Sequence, residues 1–401
     1  MTEQTNTPEL RFPEFNEEWR EFNLKDISTK KSKKNKNKLY NETFTNSAEY
    51  GIVPQKDYFD KEISNVRNLS NYYIVDPDDF VYNPRISSLA PVGPINRNKL
   101  NRIGVMSPLY TVFSTKLSSK SFLEYYFKTT KWHKFMKLNG DSGARSDRFT
   151  IKQSLFVKMP IVLPSEQEQE KIGGFFSKLD RQIELEEEKL ELLEQQKRGY
   201  MQKLFSQELR FKDKNGNQYP EWVIKKLGDI GKVAMNKRIY KNETTENGEI
   251  PFYKIGNFGK NADTFITREK FDEYKEKYPY PNVGDILISA SGSIGRTIEY
   301  TGEDAYYQDS NIVWLNHNDE VINKYLKYFY KIVKWSGIEG TTIKRLYNKN
   351  ILNTKIELPT VEEQYKMANF LSKLDKIIDI QIEKIELLKQ RKQGLLQKMF
   401  I

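Results

Sequence analysis

The sequence contains no cysteine. This absence excludes disulfide bonds, thiolate metal sites and cysteine nucleophiles. Histidine is scarce as well, because the chain has only His133 and His317, and neither stands in a metal-ligand pattern. No apolar run approaches the roughly 18 residues that a membrane-spanning helix needs. The first residues also lack the basic and then apolar pattern of a secretory signal. We therefore predict a cytoplasmic protein with no membrane partner and no metal site.

Catalytic motifs are missing too. Residues 292–297 have the wrong spacing for a phosphate-binding loop and lack its lysine. The Asn-Pro-Arg at 83–85 lacks the second proline and the aromatic residue of an amino-methyltransferase motif. A nuclease motif could begin at 77–78, but the Glu-Glu-Lys at 187–189 that would complete it falls on a helical segment, away from any domain site. These absences disfavour a self-sufficient methyltransferase or nuclease, and we predict no catalytic residue.

Positive charge is what the chain has in excess. Its 401 residues carry a formal net charge of +10 and a pI of about 9.1, with 30% charged and 37% hydrophobic residues. This length predicts two to three domains, each large enough to bury a core. A basic excess of this size favours an anionic partner, and nucleic acid is the usual one.

One long charged segment occurs twice. Residues 163–205 (LPSEQEQEKIGGFFSKLDRQIELEEEKLELLEQQKRGYMQKLF) align without a gap to residues 358–400 (LPTVEEQYKMANFLSKLDKIIDIQIEKIELLKQRKQGLLQKMF). Such a period is too long for a solenoid, so each repeat is predicted to be a whole domain followed by a helix. Each segment has a good helix start, a Leu-Pro pair followed by Ser165 or Thr360.

Apolar residues in both segments recur at alternating steps of four and three. This 3.5-residue period is typical of a coiled coil. Two layers of the seam are polar, Glu186 and Lys197 in the first copy and Gln381 and Lys392 in the second. The predicted seam residues are Ile172, Phe176, Leu179, Ile183, Leu190 and Leu193, then Leu371, Leu374, Ile378, Ile385, Leu388 and Leu395.

Two arrangements of these helices fit the pattern. Each could be a solvated helix with one buried stripe, or the two could pair as an antiparallel coiled coil. One antiparallel register sets Glu186 opposite Lys392 and Gln381 opposite Lys197, and buried polar layers of this kind commonly fix register. A register displaced by two heptads sets Glu186 opposite Ile378. We adopt the first register as a hypothesis.

The remaining sequence predicts two β-rich domains. Alternating aromatic and β-branched residues between Pro, Gly and Asp mark strands, here at 71–75, 79–83, 284–289 and 297–300. Aromatic-rich helical segments at 121–138 and 321–335 are predicted to be core. The fold class is therefore α+β, with two β-rich domains in pseudo-two-fold repeat, separated by two long antiparallel helices. The predicted boundaries are 1–160 (domain), 161–206 (helix), 207–357 (domain) and 358–401 (helix).

Basic segments follow the similar starts of both domains, and an Arg follows a Gly-containing turn near each domain end. These segments could be solvated loops, but their repetition favours phosphate contacts. Arginine near a turn can also contact guanine in a bidentate manner. The candidate DNA-binding residues are Lys33, Lys34, Lys36, Arg85, Arg145 and Arg148 in the first domain, and Lys237, Arg238, Lys254, Arg296, Lys344 and Arg345 in the second.

The repeated segment resembles a known family. Two variable domains, each followed by a Leu-Pro…Glu-Gln…Phe-(Phe/Leu)-Ser-Lys-Leu-Asp helix that ends in Gln-Lys-(Leu/Met)-Phe, are similar to the specificity (S) subunit of type I restriction–modification systems. The GDILIS at 284–289 and the IPFYK at 250–254 also resemble that family's target-recognition domains. The first domain departs from this pattern, with DDFVY at 78–82.

This resemblance implies a function. Each recognition domain would bind one half of a bipartite, asymmetric target in double-stranded DNA, and the helices would fix the gap between the halves. Two methylation subunits would bring S-adenosylmethionine, and two restriction subunits would bring ATP and magnesium, so this chain itself binds no cofactor. Phe175, Leu192 and Leu387 are candidates for contacting the methylation subunits. The alternative is a coiled-coil scaffold whose two β-rich domains bind proteins or glycans.

Overall fold

The computed structural model describes residues 6–59, 66–141, 147–337 and 345–401. The chain forms two compact units. Unit 1 comprises Met1–Glu188 with Glu383–Ile401, and unit 2 comprises Lys189–Ile382. Each unit thus contains one β-rich domain, the first part of the long helix that follows it and part of the other long helix. In the described residues, no helix is both long enough and apolar enough to cross a membrane.

Unit 1 is built of short strands and short helices. The strands are β1 (Arg20–Asn23), β2 (Ser28–Lys31), β3 (Phe44–Ser47), β4 (Gly51–Pro54), β5 (Tyr73–Val75), β6 (Phe80–Tyr82), β7 (Ile95–Arg97), β8 (Gly104–Met106), β9 (Thr111–Thr115), β10 (Gly140–Asp141), β11 (Thr150–Ile151) and β12 (Pro160–Leu163). The helices are α1 (Leu24–Ile27), α2 (Gln55–Tyr58), α3 (Lys120–Phe127), α4 (His133–Asn139) and α5 (Gln153–Phe156), with a 3-10 turn at Val66–Asn71.

The centre of unit 1 is an antiparallel sheet in the order β2-β9-β6-β7. Strand β1 pairs with β12, so the start of the domain lies beside the residues that lead into the long helix. Phe80 and Phe113 stack across β6 and β9 with ring centroids 5.6 Å apart. Aromatic residues of α3 bury themselves against this sheet, as predicted.

The predicted helix at 121–138 is in fact two helices, α3 and α4. The break falls at Thr129, whose hydroxyl donates to the Tyr126 carbonyl at 2.7 Å. The indole of Trp132 then donates to the Phe127 carbonyl at 3.1 Å. These side chains compete with the helical hydrogen bonds of the backbone, and the chain turns there.

The first long helix, α6, spans Glu166–Phe205, and unit 2 follows it. Its strands are β13 (Val223–Lys226), β14 (Gly231–Ala234), β15 (Ile250–Tyr253), β16 (Phe265–Ile266), β17 (Ile286–Ser289), β18 (Thr297–Glu299), β19 (Tyr306–Tyr307), β20 (Ile312–His317) and β21 (Lys355–Leu358). Its helices are α7 (Leu227–Ile230), α8 (Arg268–Lys277), α9 (Asn323–Ile332) and α10 (Asn348–Asn353), with a 3-10 turn at Lys241–Glu243. The second long helix, α11, spans Val361–Met399.

Unit 2 repeats the topology of unit 1. Its antiparallel sheet has the order β14-β20-β17-β18, and β13 pairs with β21 as β1 pairs with β12. A separate three-stranded sheet has the order β16-β15-β19, in which β15 and β19 are parallel. The described strands therefore agree with the α+β prediction.

The turn before the central strand has the same structure in both units, although the residues that form it differ. Asp79 accepts a hydrogen bond from the Asp76 amide, and Asp285 accepts one from the Asn282 amide. The preceding residue is left-handed in both units, with φ of 68° at Asp78 and 94° at Gly284. Glycine adopts this conformation without strain, and Asp tolerates it better than most residues.

The long helices begin where the sequence predicts. The Ser165 hydroxyl accepts from the Glu168 amide, and the Thr360 hydroxyl accepts from the Glu363 amide. The twelve seam residues are all buried or half-buried. Within unit 1, α6 and α11 run antiparallel, because Lys384 pairs with Glu186 and Lys392 pairs with the earlier residue Asp180.

These ion pairs show that the predicted register is wrong. Lys392 was predicted to face Glu186, but its carboxylate partner is Asp180. In unit 2, Lys197 pairs with Asp375, whereas Gln381 was the predicted partner. Both pairs are displaced by about one heptad from the prediction. The aspartates lie outside the apolar seam, so the seam pattern did not reveal them.

Candidate nucleic-acid interface

The basic segment of unit 1 lies along strand β5. The Ile74 amide donates to the Lys33 carbonyl, and the Asn35 amide donates to the Tyr72 carbonyl, both at 2.9 Å. The buried Asn35 side chain also donates to the Tyr40 carbonyl at 2.8 Å. This backbone pairing holds Lys33, Lys34 and Lys36 on the surface with exposed side chains. Such exposed ammonium groups suit contact with phosphate.

Two of the predicted arginines come together at a groove in unit 1. Arg85 and Arg148 form an antiparallel β-bridge, although they are far apart in the sequence. Both line a groove of about 600 Å³. The Arg85 guanidinium lies 3.7 Å from the Asp147 carboxylate, and both side chains are half-exposed or more, so this ion pair is weak. The Arg85 guanidinium therefore remains able to bind an anion.

The groove also has a polar and an aromatic lining that the sequence did not indicate. The Thr43 hydroxyl and the Gln55 amide oxygen are buried without a hydrogen-bond partner among the described residues. Buried polar atoms of this kind favour a ligand that can bond to them. Five aromatic residues line the same groove: Phe44, Tyr58, Phe59, Tyr72 and Tyr110. A groove with hydroxyl, amide, aromatic and guanidinium groups has the chemistry needed to contact both bases and phosphates.

In unit 2, Arg345 occupies the same place as Arg148 in unit 1. It forms an antiparallel β-bridge with Ser291, beside the end of the central strand β17. The residue after each arginine is buried, Phe149 in one unit and Leu346 in the other. The Arg345 guanidinium donates to the Ser310 carbonyl at 2.9 Å and lies 6.0 Å from the centre of the Tyr347 ring. Arg345 is therefore held in place.

The other predicted residues of unit 2 are more dispersed, and several already have partners. Arg238 donates to Asp309 at 2.9 Å, and Lys254 lies 3.2 Å from Asp263. The hydrogen bond from Thr264, followed by that from Lys254, lowers the pKa of Asp263, so its carboxylate stays charged. Lys237 lies 5.1 Å from the centre of the Tyr278 ring.

Arg296 is exposed at the turn between β17 and β18. Arg145 and Lys344 lie outside the described residues. Thr43 and Gln55 were missed because nothing in the sequence connects them to Arg148. In the described part of the chain, no group of three or more His, Asp or Glu side chains could hold a metal ion.

The comparison with protein families decides the relationship. The family model for the type I restriction modification DNA specificity domain matches residues 16–195 and again residues 219–390. The chain belongs to this family. The two matches cover both units and include most of each long helix. Two DNA specificity domains in one chain make it a type I restriction–modification specificity protein, and they disfavour the scaffold alternative.

Similar proteins carry matching names. A putative type I restriction enzyme specificity subunit of Haemophilus influenzae, S.HindORF215P, is 58% identical over 151 residues, which are 37% of this chain and 39% of that protein. The MjaVIII specificity subunit of Methanocaldococcus jannaschii is 26% identical over 73% of this chain and 69% of its own length. Homologues so named are the non-catalytic part of type I restriction–modification complexes, which agrees with the catalytic motifs missing from this sequence.

Solved structures share the fold. The S subunit from M. genitalium superposes with a TM-score of 0.54 at 17% identity, over 98% of this chain and 99% of that one. A chain from a structural study of assembly and conformational transition in the type I R-M system gives a TM-score of 0.58 at 17% identity, over 95% and 97%. Likeness at this identity establishes the α+β architecture with its long helices.

Proposed function

We propose that this chain reads a bipartite, asymmetric DNA target, with one half read by each unit. The observation that carries the proposal is the repeated bridge at the end of the central strand, which presents Arg148 in unit 1 and Arg345 in unit 2. The surroundings of the two arginines differ, and this difference supports two different half-sites. Arg contacts to guanine in the major groove are the commonest specific contacts of this type.

The chain would also assemble the enzyme. Two methylation subunits with S-adenosylmethionine and two restriction subunits with ATP and magnesium would supply the chemistry. Leu192 and Leu387 are 64% and 66% exposed on the long helices, and exposed apolar residues suit a protein contact. Phe175 is a poorer candidate, because it packs against Phe12 at 5.8 Å between ring centroids. The cytoplasm is the proposed location.

Methylome sequencing tests this function. A host without its own modification system would express this chain with its cognate methylation subunit, and a control host would express that subunit alone. We expect a new bipartite motif with methylated adenine only when both proteins are present. Two soluble, associated proteins that give no new motif would contradict the DNA-reading role. Failure of the two to associate would contradict the assembly role.

A further inference from the structure

A polar junction joins three elements of unit 1. The Tyr125 hydroxyl on α3 donates to the Asp180 carboxylate on α6 at 2.7 Å. Lys392 on α11 forms an ion pair with the same carboxylate. The Lys128 ammonium, also on α3, lies 3.8 Å from Asp180. One carboxylate thus links the recognition domain to both long helices.

Unit 2 contains the same junction. The Tyr328 hydroxyl on α9 donates to the Asp375 carboxylate on α11 at 2.6 Å, and Lys197 on α6 pairs with that carboxylate. The Lys331 ammonium lies 5.6 Å from the centre of the Tyr328 ring. Each residue type recurs at its equivalent position, so the junction belongs to the repeat and not to one domain. We call the two clusters the register junctions.

The junctions are largely shielded from water. The Asp180 and Lys392 side chains are only 17% and 18% exposed, and those of Asp375 and Lys197 are 22% and 15% exposed. Burial raises the pKa of Asp180, but the hydrogen bond from Lys392 and the charges of Lys128 and Lys392 outweigh it, so the pKa lies below its ordinary value. Separating two opposite charges that are shielded from water costs more free energy than separating two exposed ones.

The apolar seam alone does not select the observed register. A heptad pattern repeats every seven residues, so a slip of one heptad again places apolar residues opposite apolar residues. That slipped register would also set Glu186 opposite Lys392, an acceptable polar layer. Neither the seam nor the polar layers therefore excludes it. The end of α11 does oppose it, because Leu396, Met399 and Phe400 pack in the core of unit 1 beside the junction. The slip would also separate Asp180 from Lys392 while Tyr125 stays fixed, because its ring is buried in the core of unit 1.

We propose that the register junctions, together with the packed end of α11, select the helix register and thereby determine the gap length of the DNA target. The proposal rests on the proposed function, in which two half-sites are read across a gap. A slip of one heptad moves one helix about 10 Å along the other. This distance corresponds to about 3 base pairs of B-DNA. Asp180 and Asp375 are thus positioning residues for specificity, and they need not touch DNA.

Charge exchange tests the proposal. Asp180→Lys breaks one junction, and Asp180→Lys with Lys392→Asp restores an ion pair in reversed order. The control is Glu187→Lys, which disrupts the exposed pair of Glu187 and Lys389 between the same two helices. Each variant, in complex with the methylation subunit, would be measured for affinity to DNA panels that share both half-sites and differ in gap length.

We expect Asp180→Lys to reduce discrimination between gap lengths by about tenfold, with the half-site sequences unchanged. The double exchange should restore the discrimination, and the control should keep it. Tyr125→Phe, which removes only the hydroxyl donor, serves as a milder variant if Asp180→Lys does not fold. Unchanged gap preference in Asp180→Lys or, where that variant does not fold, in Tyr125→Phe would overturn the proposal.

A second readout does not depend on DNA. The chain has no cysteine, so Glu186→Cys with Lys384→Cys can be joined by a short bifunctional maleimide that reports the register directly. We expect efficient cross-linking in this cysteine pair and a clear loss after Asp180→Lys is added. Equal cross-linking in both would overturn the proposal. If the parent chain shows no preference among gap lengths, the proposed function is refuted. A loss of cross-linking after Asp180→Lys would still support the role of the junction in setting the helix register.

Discussion

The two units share a scaffold but differ at the surface beside it. In both, a four-stranded antiparallel sheet has the same strand order, and an arginine forms a β-bridge beside its central strand. In unit 1, this arginine lies at a groove with buried, unpartnered polar atoms and a nearby lysine segment. In unit 2, several of the corresponding cations are paired, as Arg238 is with Asp309.

This difference shows which parts of the repeat are constrained. The turn at Asp79 and Asp285 and the register junctions recur with the same residue types, because each must satisfy a buried polar group. Thr43 and Gln55 instead line the groove with buried polar atoms that bond to no described residue, so no partner within the fold fixes them. The repeat therefore preserves the frame, whereas the proposed DNA-contacting surface differs between the two units.

The largest expected effect is on a buried ion pair that anchors each long helix. Arg210 contacts Glu363 through two hydrogen bonds of 3.1 and 2.8 Å, and Arg11 contacts Glu168 likewise. Both carboxylates are fully buried. Removing one partner of such a pair costs about 3–5 kcal/mol, so Glu168→Ala and Glu363→Ala should both lower the free energy of unfolding strongly.

The two units should differ in this test. Glu363 also accepts from the Trp222 indole at 3.1 Å, whereas the Trp19 indole of unit 1 has no partner among the described residues. Glu363→Ala should therefore cost about 1 kcal/mol more than Glu168→Ala, because it leaves a further buried donor unsatisfied. Denaturant unfolding measures both, with the exposed Glu362→Ala as the control. A larger loss for Glu168→Ala would contradict the comparison.

The sequence predicted much of this frame because its signals are local. Heptad spacing, the caps at Ser165 and Thr360 and the central strands all depend on neighbouring residues. The register did not follow, because Asp180 gains its role from Tyr125 and Lys392, which lie far away in the sequence. The groove was missed for the same reason, since only folding brings Thr43 and Gln55 to Arg148. The break between α3 and α4 at Thr129 depends on a single hydroxyl group, which the pattern of aromatic residues does not indicate.

A pH test distinguishes the two central-strand turns. Burial raises the pKa of Asp79 to about 6, from 3.8. The folded state therefore holds this proton more tightly than the unfolded state, so the contribution of Asp79 to stability is fully present below about pH 4 and is lost as the pH rises through about 6. The loss is at most about 3 kcal/mol. Asp79→Asn should remove this pH-dependent loss. The stability of the variant relative to the parent chain should therefore increase from pH 4.5 to pH 7.5.

Thermal unfolding of the full chain at both pH values gives this difference. The stability of the variant is compared with that of the parent chain at each pH. The contributions of the other carboxylates cancel in this difference, because they titrate in both proteins. Asp285→Asn is the matched substitution in unit 2, where the same turn packs against different neighbours. A relative stability of Asp79→Asn that does not change with pH would show that the buried carboxyl is not responsible.

The arginine bridges should affect one half-site each. A bidentate contact to guanine contributes about 1–3 kcal/mol of discrimination, so Arg148→Ala should relax one position of one half-site by about 5- to 150-fold. Arg345→Ala should do the same in the other half-site. Methylome sequencing of each variant measures both, with the exposed Arg181→Ala as the control. Uniform weakening on all sequences would instead assign these arginines to phosphate.

The smallest effect is expected from the basic segments, and it should be unequal. Each phosphate contact contributes about 0.9 to the slope of log affinity against log salt concentration. Removing the exposed Lys33, Lys34 and Lys36 together should reduce the slope by about 3. Removing Lys237 and Arg238 should reduce the slope by less than the value of about 1.8 expected for two phosphate contacts. The reason is that Arg238 is already paired with Asp309.

Salt titration of DNA binding by the complex with the methylation subunit separates these outcomes. Alanine at Lys373 and Lys376, exposed on α11, controls for the loss of net charge alone. Equal slopes per cation removed in the two units would mean that Asp309 releases Arg238 to DNA. The paired cations of unit 2 would then contact phosphate in the complex as the free lysines of unit 1 do. The difference in charge pairing between the two units would in that case exist only in the free protein.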